Sequence, residues 1–208
     1  MLSRQYRQPM RWDKLFDDLE SQLENEITAD DLEVDAEEER LRLGRLSMRD
    51  RIVSLHARGS EQSPLTLSVV LVTGTRLIIR PAIIGRDWMS ADLVDDSDRP
   101  AQCIVPFAAM AGISLGSAHI TPSLATMPSS GHPSLSRRLG LSYVLRDLCR
   151  RRRAVSLLLV AGEVHGTIDR VGRDHLDIAV HERGAVRRET AVAEYRLVPF
   201  ASLVLVRP

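Results

Sequence analysis

The chain has 208 residues, 44% of them hydrophobic, and a formal net charge of zero at pH 7. This length suggests one or two domains with a buried core, and neutrality gives no reason to expect global attraction to nucleic acid or anionic lipid. The charges are nevertheless segregated: residues 12–39 carry thirteen Asp or Glu and one Lys, whereas residues 137–153 carry seven Arg and one Asp. We therefore expect two oppositely charged patches.

Signals for export or membrane insertion are not evident in the sequence. Residues 1–10 contain Arg and Gln without an apolar stretch, which argues against a signal peptide. No run approaches the roughly 18 apolar residues that a membrane-spanning helix needs. These features predict a cytoplasmic protein that does not associate with a membrane.

Residues 1–59 are predicted to form an acidic N-terminal helical arm. A first helix is indicated by an apolar stripe at helical spacing, which consists of Trp12, Leu15, Phe16, Leu19 and Leu23. Thr28 and Asp31 fit a capping box, so a second helix is expected from about Asp31 to Arg58, ending at Gly59. The arm is either a solvated coiled-coil hairpin or a surface for dimerisation or partner docking, and the sequence favours neither.

Residues 60–115 are predicted to form a first small β-barrel. Pro81 interrupts its second strand, which favours a sheet edge or a bulge at that point. A one-turn corner is expected at residues 106–109, before the last strand. The five strands are predicted at Leu65–Val72, Arg76–Ile84, Trp88–Val94, Ala101–Val105 and Met110–Leu115.

Residues 116–153 are predicted to form a linker and an arginine-rich helix. The stretch 116–133 is rich in Ser, Pro, Gly and Thr and has little periodicity, which is typical of a linker. Ser134 fits a helix N-cap, and the helix after it would run into Arg150–Arg153. Its apolar stripe is expected at Leu135, Leu139, Tyr143 or Val144, and Leu148.

Residues 154–208 repeat the first β unit. Gly85-Arg86-Asp87 followed by Val105-Pro106-Phe107 recurs as Gly172-Arg173-Asp174 followed by Val198-Pro199-Phe200. Five short strands with a corner before the last is the order of a small barrel, which removes sheet edges by closure. The predicted fold is therefore mainly β with α: two tandem five-stranded SH3-like/Sm-like small barrels with an N-terminal helical arm and a linking helix.

The stretch from Trp12 to Glu20, which reads WDKLFDDLE, and the duplicated β unit resemble a group of actinobacterial proteins of unassigned function. Members of that group have an acidic N-terminal helix and two small barrels. The second unit is also similar to Sm-like proteins, since it carries Gly162, Gly166 and Asp174 around its second strand. The similarity is partial, because the first unit has no counterpart of the second glycine, and it implies RNA binding.

No catalytic, metal or cofactor site stands out. Ser114 lies in a G-x-S-x-G string, but inside a predicted strand that leads to a linker, whereas a nucleophile elbow needs a strand, a sharp turn and a helix. His165, His175 and His181 lack the short spacing of a metal site. The two cysteines show no framework spacing and are expected to be reduced. We predict that the protein is not an enzyme and binds no cofactor or metal.

The Gly-Arg-Asp turns are expected to use Gly for the positive φ of a tight turn and Asp for hydrogen bonds back to turn amides. Neither role explains why Arg stands in both turns. Trp88, directly after the first turn, is the one candidate for an exposed aromatic on which a base could stack.

Arginine is the strongest functional signal, because its guanidinium favours bidentate contact with phosphate or carboxylate. In the first hypothesis the protein is a nucleic-acid-associated regulator: arginines contact RNA or DNA, and the acidic arm competes as an internal mimic. In the second it is a protein–protein adaptor or oligomeric scaffold that acts through the helical arm and through barrel edges that accept a strand. The candidate binding residues are Arg86, Arg137, Arg138, Arg146, Arg150, Arg151, Arg152, Arg153 and Arg173.

Overall fold

The computed structural model describes residues 19–20, 33–59, 64–94, 101–125, 135–184 and 192–208. Contacts divide the chain into two units, Met1–Leu46 and Ser47–Pro208. The described part of the first unit is helical at residues 19–20 and at residues 33–45, here called α1, and Leu19 is exposed. The predicted capping box at residues 28–31 and the rest of the first apolar stripe lie outside the described residues.

The predicted helix over residues 31–58 is in fact interrupted. Helix α1 ends at residue 45, and α2 (Met48–His56) begins anew after Ser47. The Ser47 hydroxyl accepts a hydrogen bond from the Asp50 backbone N–H, and the Asp50 carboxylate accepts one from the Ser47 backbone N–H. This capping box starts a helix by satisfying backbone donors that have no partner inside it. The arm therefore ends at Leu46, and α2 belongs to the second unit.

Ten strands form one antiparallel sheet in the order β5-β1-β2-β3-β4-β10-β6-β7-β8-β9. Among the described residues the sheet is open, with β5 and β9 as its outer strands. The mainly β fold with helices is confirmed, whereas closure into two barrels is not seen. The strands are β1 (Leu67–Leu71), β2 (Arg76–Ile84), β3 (Trp88–Leu93), β4 (Ala101–Pro106), β5 (Met110–Ser114), β6 (Ala154–Leu159), β7 (Gly162–Val171), β8 (His175–Val180), β9 (Glu194–Pro199) and β10 (Leu203–Arg207).

The two halves of the sheet, β1–β5 and β6–β10, repeat each other strand for strand. The irregularities repeat as well: β2 bulges against β3 after Pro81, and β7 bulges against β8 after Ile168, the corresponding position. A bulge at Pro81 is expected because proline has no N–H to give to the ladder. One 3-10 turn precedes the last strand of each half, at Phe107–Ala109 and Phe200–Ser202. The repeat read from the sequence is thus a structural repeat.

Helices α2 and α4 (Leu141–Arg150) pack on the two halves in the same way. Ile52 and Leu55 of α2 are buried in the core of the first half. Leu141, Leu145 and Leu148 of α4 are buried in the core of the second half. Burying one such side chain stabilises the fold by about 1.5–3 kcal/mol, so each helix is held mainly by its apolar stripe.

The chain between the halves contains more structure than predicted. Helix α3 (Ser117–Leu124) lies within the predicted linker, where Pro, Ser and Thr obscure its helical character. The Ser123 hydroxyl of α3 accepts a hydrogen bond from the Arg51 guanidinium of α2 at 2.8 Å. The single helix predicted after Ser134 is a 3-10 turn, Leu135–Arg138, followed by α4, whose N-cap is Gly140.

The two halves join where β4 pairs antiparallel with β10, and Ile104 stands opposite Val206. Each half sends side chains into the core of the other. Trp88 and Ile104 of the first half pack in the core of the second, while Val204 and Leu205 of β10 pack in the core of the first. The junction is therefore an apolar interface between two repeats of one chain.

Candidate functional site

The outward face of α4 brings together part of the predicted arginine cluster. Because Leu141, Leu145 and Leu148 face the sheet, Tyr143, Arg146 and Arg150, at i, i+3 and i+7, lie on the opposite side of the helix. Tyr143, one of the two residues that the sequence offers for the apolar stripe of this helix, is 55% exposed. An exposed aromatic ring next to arginines was not recognised from the sequence, and the register of the buried leucines is the signal that identifies it.

Several arginines at the end of α4 are partly neutralised by ion pairs. Asp147 accepts hydrogen bonds from Arg150 at 2.5 Å and from Arg151 at 2.7 Å. Desolvation raises the pKa of the Asp147 carboxyl, but these two hydrogen bonds outweigh it, so that pKa lies below its ordinary value. Arg152, the one non-glycine residue with positive φ in the described part of the chain, pairs with Asp169 at 3.0 Å. The three guanidinium groups remain 61–78% exposed and available to a ligand.

The second Gly-Arg-Asp turn lies beside this helix. The Arg146 guanidinium donates to the Gly172 carbonyl at 3.3 Å, which places Arg173, itself exposed, near the same face. Arg153, the last residue before β6, is exposed as well. We call this set the α4 arginine face; it consists of Tyr143, Arg146, Arg150, Arg151, Arg152, Arg153 and Arg173.

The remaining predicted residues lie elsewhere. Arg137 lines a cavity of about 240 Å³ beside α2 and β2 together with Arg49. Burial, followed by the charge of Arg137, lowers the pKa of the Arg49 guanidinium. Arg138 is exposed at the end of the 3-10 turn, and Arg86 is exposed in the first Gly-Arg-Asp turn. The structure thus divides the predicted cluster and does not bring all nine arginines to one surface.

The first Gly-Arg-Asp turn has a structural role that the sequence did not indicate. The Asp87 carboxylate accepts a hydrogen bond from the Leu141 backbone N–H at 2.7 Å, and the Leu139 carbonyl accepts one from the Arg86 backbone N–H at 3.0 Å. A turn of the first half therefore caps the helix of the second half, where Gly140 offers no side-chain cap. The prediction that Asp bonds back to its own turn is wrong for Asp87.

The glycines of both turns leave room for a neighbouring ring and do not adopt positive φ. Positive φ among the described glycines occurs only at Gly74, Gly162 and Gly184. A Cβ at Gly85 would lie 2.2 Å from the Trp88 ring, and a Cβ at Gly172 would lie 2.6 Å from the His175 ring. Each turn therefore holds a ring directly against the backbone.

Trp88 is not an exposed stacking platform. It is 4% exposed, and its indole N–H donates to the Leu139 carbonyl at 2.9 Å. The ring anchors the junction between the two halves, so the prediction that Trp88 is available to a base is wrong.

The histidines of the second half form a small polar cluster. His165 and His181 meet edge to face, with ring centroids 5.4 Å apart, and the His181 ring lies 3.0 Å from the Thr167 hydroxyl. Burial, followed by the charge of His181, lowers the pKa of His165. No group of three His, Cys, Asp or Glu residues arranged for a metal occurs in the part of the chain that the structure describes.

The other chemical candidates lie in regular structure. Ser114 is the last residue of β5, as expected, but helix α3 and not a linker begins three residues later at Ser117. Strand β5 belongs to an antiparallel sheet and not to the α/β sheet of a nucleophile elbow. Cys103 and Cys149 are free thiols; Cys103 is buried in β4, and burial raises its pKa to about 11.

Within the described part of the chain, no strand pairs with the outer side of β5 or of β9. In β9, Tyr195 and Leu197 are each 62% exposed. Beside β5 lies a groove of about 220 Å³, smaller than the roughly 300–1,000 Å³ of a pocket for a drug-sized molecule and better suited to a few side chains. Its lining is almost entirely apolar and consists of Met48, Arg51, Ile52, Leu55, Leu67, Ile113 and Leu115.

A search for long apolar helices among the described residues found none able to cross a bilayer. No protein-family model, curated protein or solved structure matches the chain.

Proposed function

We propose that this is a non-catalytic, cytoplasmic binding protein whose α4 arginine face contacts the phosphates of RNA or DNA. The observation that carries the proposal is the outward side of α4, where Tyr143 stands in line with Arg146 and Arg150. Guanidinium groups neutralise phosphates, and an exposed aromatic ring next to them gives a base a surface on which to stack.

The charge of this region supports the proposal. Residues 137–153 carry seven Arg against one Asp, and that Asp is already bonded to two of the arginines. A ligand with several phosphates therefore meets excess positive charge even though the whole chain is neutral. The acidic arm, where residues 12–39 carry thirteen of the 28 Asp and Glu residues, competes for the same arginines in this hypothesis.

We also propose that each five-stranded half is an SH3-like/Sm-like small barrel. Support comes from the order of the strands in each half, with the fifth strand next to the first, and from the 3-10 turn before the fifth strand.

Fluorescence anisotropy of a single-stranded RNA and of a DNA duplex, both of mixed sequence, tests nucleic-acid binding. If four arginines of the face each meet one phosphate, log K should fall with log salt with a slope of about −3 for the single strand. Arg146→Ala with Arg150→Ala should weaken binding and flatten the slope. Tyr143→Ala should weaken binding of the single strand by about 1–3 kcal/mol.

The matched control removes the same charge from the other half of the sheet. Arg76 and Arg80 of β2 are both exposed, so Arg76→Ala with Arg80→Ala changes the net charge equally. Affinity should be nearly unchanged in this control. Equal losses in the two double variants, or no binding by the unmodified chain, would refute the proposal.

A second candidate function is that of an oligomeric scaffold or adaptor acting through the sheet edges. It is favoured by the two outer strands, whose backbone groups are available for pairing with another strand. Ile113→Arg places a charge on the outer strand β5 and should abolish any association that is insensitive to nuclease. Association that survives this change would assign the contact to the helical arm.

A further inference from the structure

The internal junction and the two outer edges of the sheet are formed by the same two kinds of strand, the fourth and the fifth strand of a half. At the junction, the fourth strand of the first half (β4) pairs with the fifth strand of the second half (β10). The strands left open are the fourth strand of the second half (β9) and the fifth strand of the first half (β5). The internal junction therefore shows how a fourth strand pairs with a fifth strand, and among the described residues one strand of each kind, β9 and β5, has no partner on its outer side.

Residues at the open edges correspond to the junction residues one for one. The register of each half aligns Leu197 with Ile104, and it aligns Ile113 with Val206. Ile104 and Val206, which face each other at the junction, are 5% and 0% exposed. Leu197 is 62% exposed, which is unusual for a leucine whose structural counterpart is buried.

The groove beside β5 corresponds to the site that receives Ile104. At the junction, Ile104 packs in one cluster with the buried leucines of α4 and with Val206. Beside β5, the same positions of α2 and β5 line a groove that no described side chain of the chain fills. Met48, which takes the place of Leu141, is 39% exposed, whereas Leu141 is 6% exposed. The groove beside β5 thus corresponds to the apolar site at the junction, but it lacks a counterpart of the Ile104 side chain that fills that site.

We propose that β9 of one copy of this chain pairs antiparallel with β5 of a second copy, with Leu197 seated in the groove against Ile113 of that second copy. The contact continues the ten-stranded sheet from chain to chain and repeats the internal junction. This inference rests on the second candidate function above and is independent of nucleic-acid binding.

The contact between chains differs from the internal junction in ways that set its strength. Ala111 and Gly112 stand where β10 has Val204 and Leu205, and Arg196 stands where β4 has Cys103. Less apolar surface is buried and a charge lies nearby, so we expect the association to be reversible and dependent on concentration. Helix α2 has its own cap at Ser47, so it does not need a neighbour, whereas α4 is capped by Asp87.

Such a contact is heterologous, because each copy uses a different edge on its two sides. Repetition of one heterologous contact generates a closed ring when the rotation closes and an open filament when it does not. In either case the mass of the assembly increases in steps of one 23.2 kDa chain.

Sedimentation velocity of the full chain over a range of concentrations, after nuclease treatment and at high salt, tests the inference. The unmodified chain should form species larger than 23.2 kDa that increase with concentration. Leu197→Arg should leave only the single chain. Tyr195→Arg is the matched control, because Tyr195 is equally exposed on the same strand but corresponds to Gln102, which stays exposed at the junction.

A second variant distinguishes loss of the contact between chains from misfolding of the Leu197→Arg chain. Ile113→Arg removes the β5 edge and leaves β9 intact, so it should also be a single chain. An equal mixture of the Leu197→Arg and Ile113→Arg chains should form a dimer and nothing larger, because one good edge of each kind remains. A single chain at every concentration of the unmodified protein, or equal effects of Leu197→Arg and Tyr195→Arg, would overturn the inference and leave the arginine-face proposal standing.

Discussion

Replacing Asp87 with Ala should destabilise the protein through a helix in the other half of the sheet. The Asp87 carboxylate is the side-chain cap of α4, since it accepts the Leu141 backbone N–H at 2.7 Å and Gly140 supplies no side chain. Loss of a helix cap costs about 0.5–2 kcal/mol. Loss of negative charge at a helix N-terminus adds about 0.3–1 kcal/mol. We therefore expect the free energy of unfolding to fall by about 1–2 kcal/mol, allowing for the partial exposure of Asp87.

The repeat provides the control for this prediction. Asp174 occupies the same position in the second turn, but its largely exposed carboxylate has local partners, the neighbouring His175 ring and its own backbone N–H, as expected for an Asp that bonds back to a turn amide. Urea unfolding followed by far-UV circular dichroism should show a lower midpoint for Asp87→Ala and an unchanged midpoint for Asp174→Ala. Equal midpoints for the two variants would refute the view that a turn of the first half caps the helix of the second.

Three further predictions concern stability and reactivity. A chain that starts at residue 47 keeps α2 and should unfold at the same urea concentration as the full chain. A chain that starts at residue 59 lacks the two buried core side chains of α2, so its free energy of unfolding should be lower by about 3–6 kcal/mol. Equal urea midpoints for the two shortened chains would contradict this. Because burial lowers the pKa of His165 from 6.5, the unfolded chain binds protons more readily, so stability should fall as the pH drops below about 6.5, and His165→Gln should flatten that decline. Because burial raises the pKa of Cys103 to about 11, a thiol reagent should modify it only upon unfolding, and rapid labelling of Cys103 in the native protein would show that the strand is accessible.

The strands, the repeat and the bulge could be predicted from the sequence because their signals are local. Period-two alternation marks β8, and Pro81 marks a place where a ladder hydrogen bond is missing. Repeated Val-Pro-Phe marks both corners. Each of these signals lies within a few residues of the structure it specifies.

The features that were missed depend on contacts between distant parts of the chain. The sequence makes Trp88 a candidate for an exposed ring because nothing near it reveals its hydrogen bond to Leu139, 51 residues away. The sequence also predicts that α2 belongs to the arm, because Ile52 and Leu55 would form the same apolar stripe in a coiled coil as in a core. The break before it was nevertheless readable, since Ser47 and Asp50 have the spacing of a capping box.

The arginine face was predicted in composition but not in arrangement. Sequence identified the run from Arg146 to Arg153, and the Asp147 pairs follow from i, i+3 and i, i+4 spacing. That Tyr143 joins the face depends on which residues of α4 pack against the sheet. The adaptor hypothesis invokes edges that accept a strand, but which strands are outermost could not be predicted, because this depends on the pairing of β4 with β10.

The most direct test of the central claim, that the internal junction recurs between chains, is disulfide cross-linking of two variants that each carry one introduced cysteine in a Cys149→Ala background, where the remaining native cysteine, Cys103, is buried. Paired residues in antiparallel strands have Cα atoms about 4.5–5.5 Å apart, within the range that a disulfide bridges. A mixture of the Ile113→Cys and Leu197→Cys chains should form a covalent dimer on mild oxidation, and neither chain should do so alone. Absence of that dimer, or an equal yield when Tyr195→Cys replaces Leu197→Cys, would contradict the proposed pairing of β9 with β5.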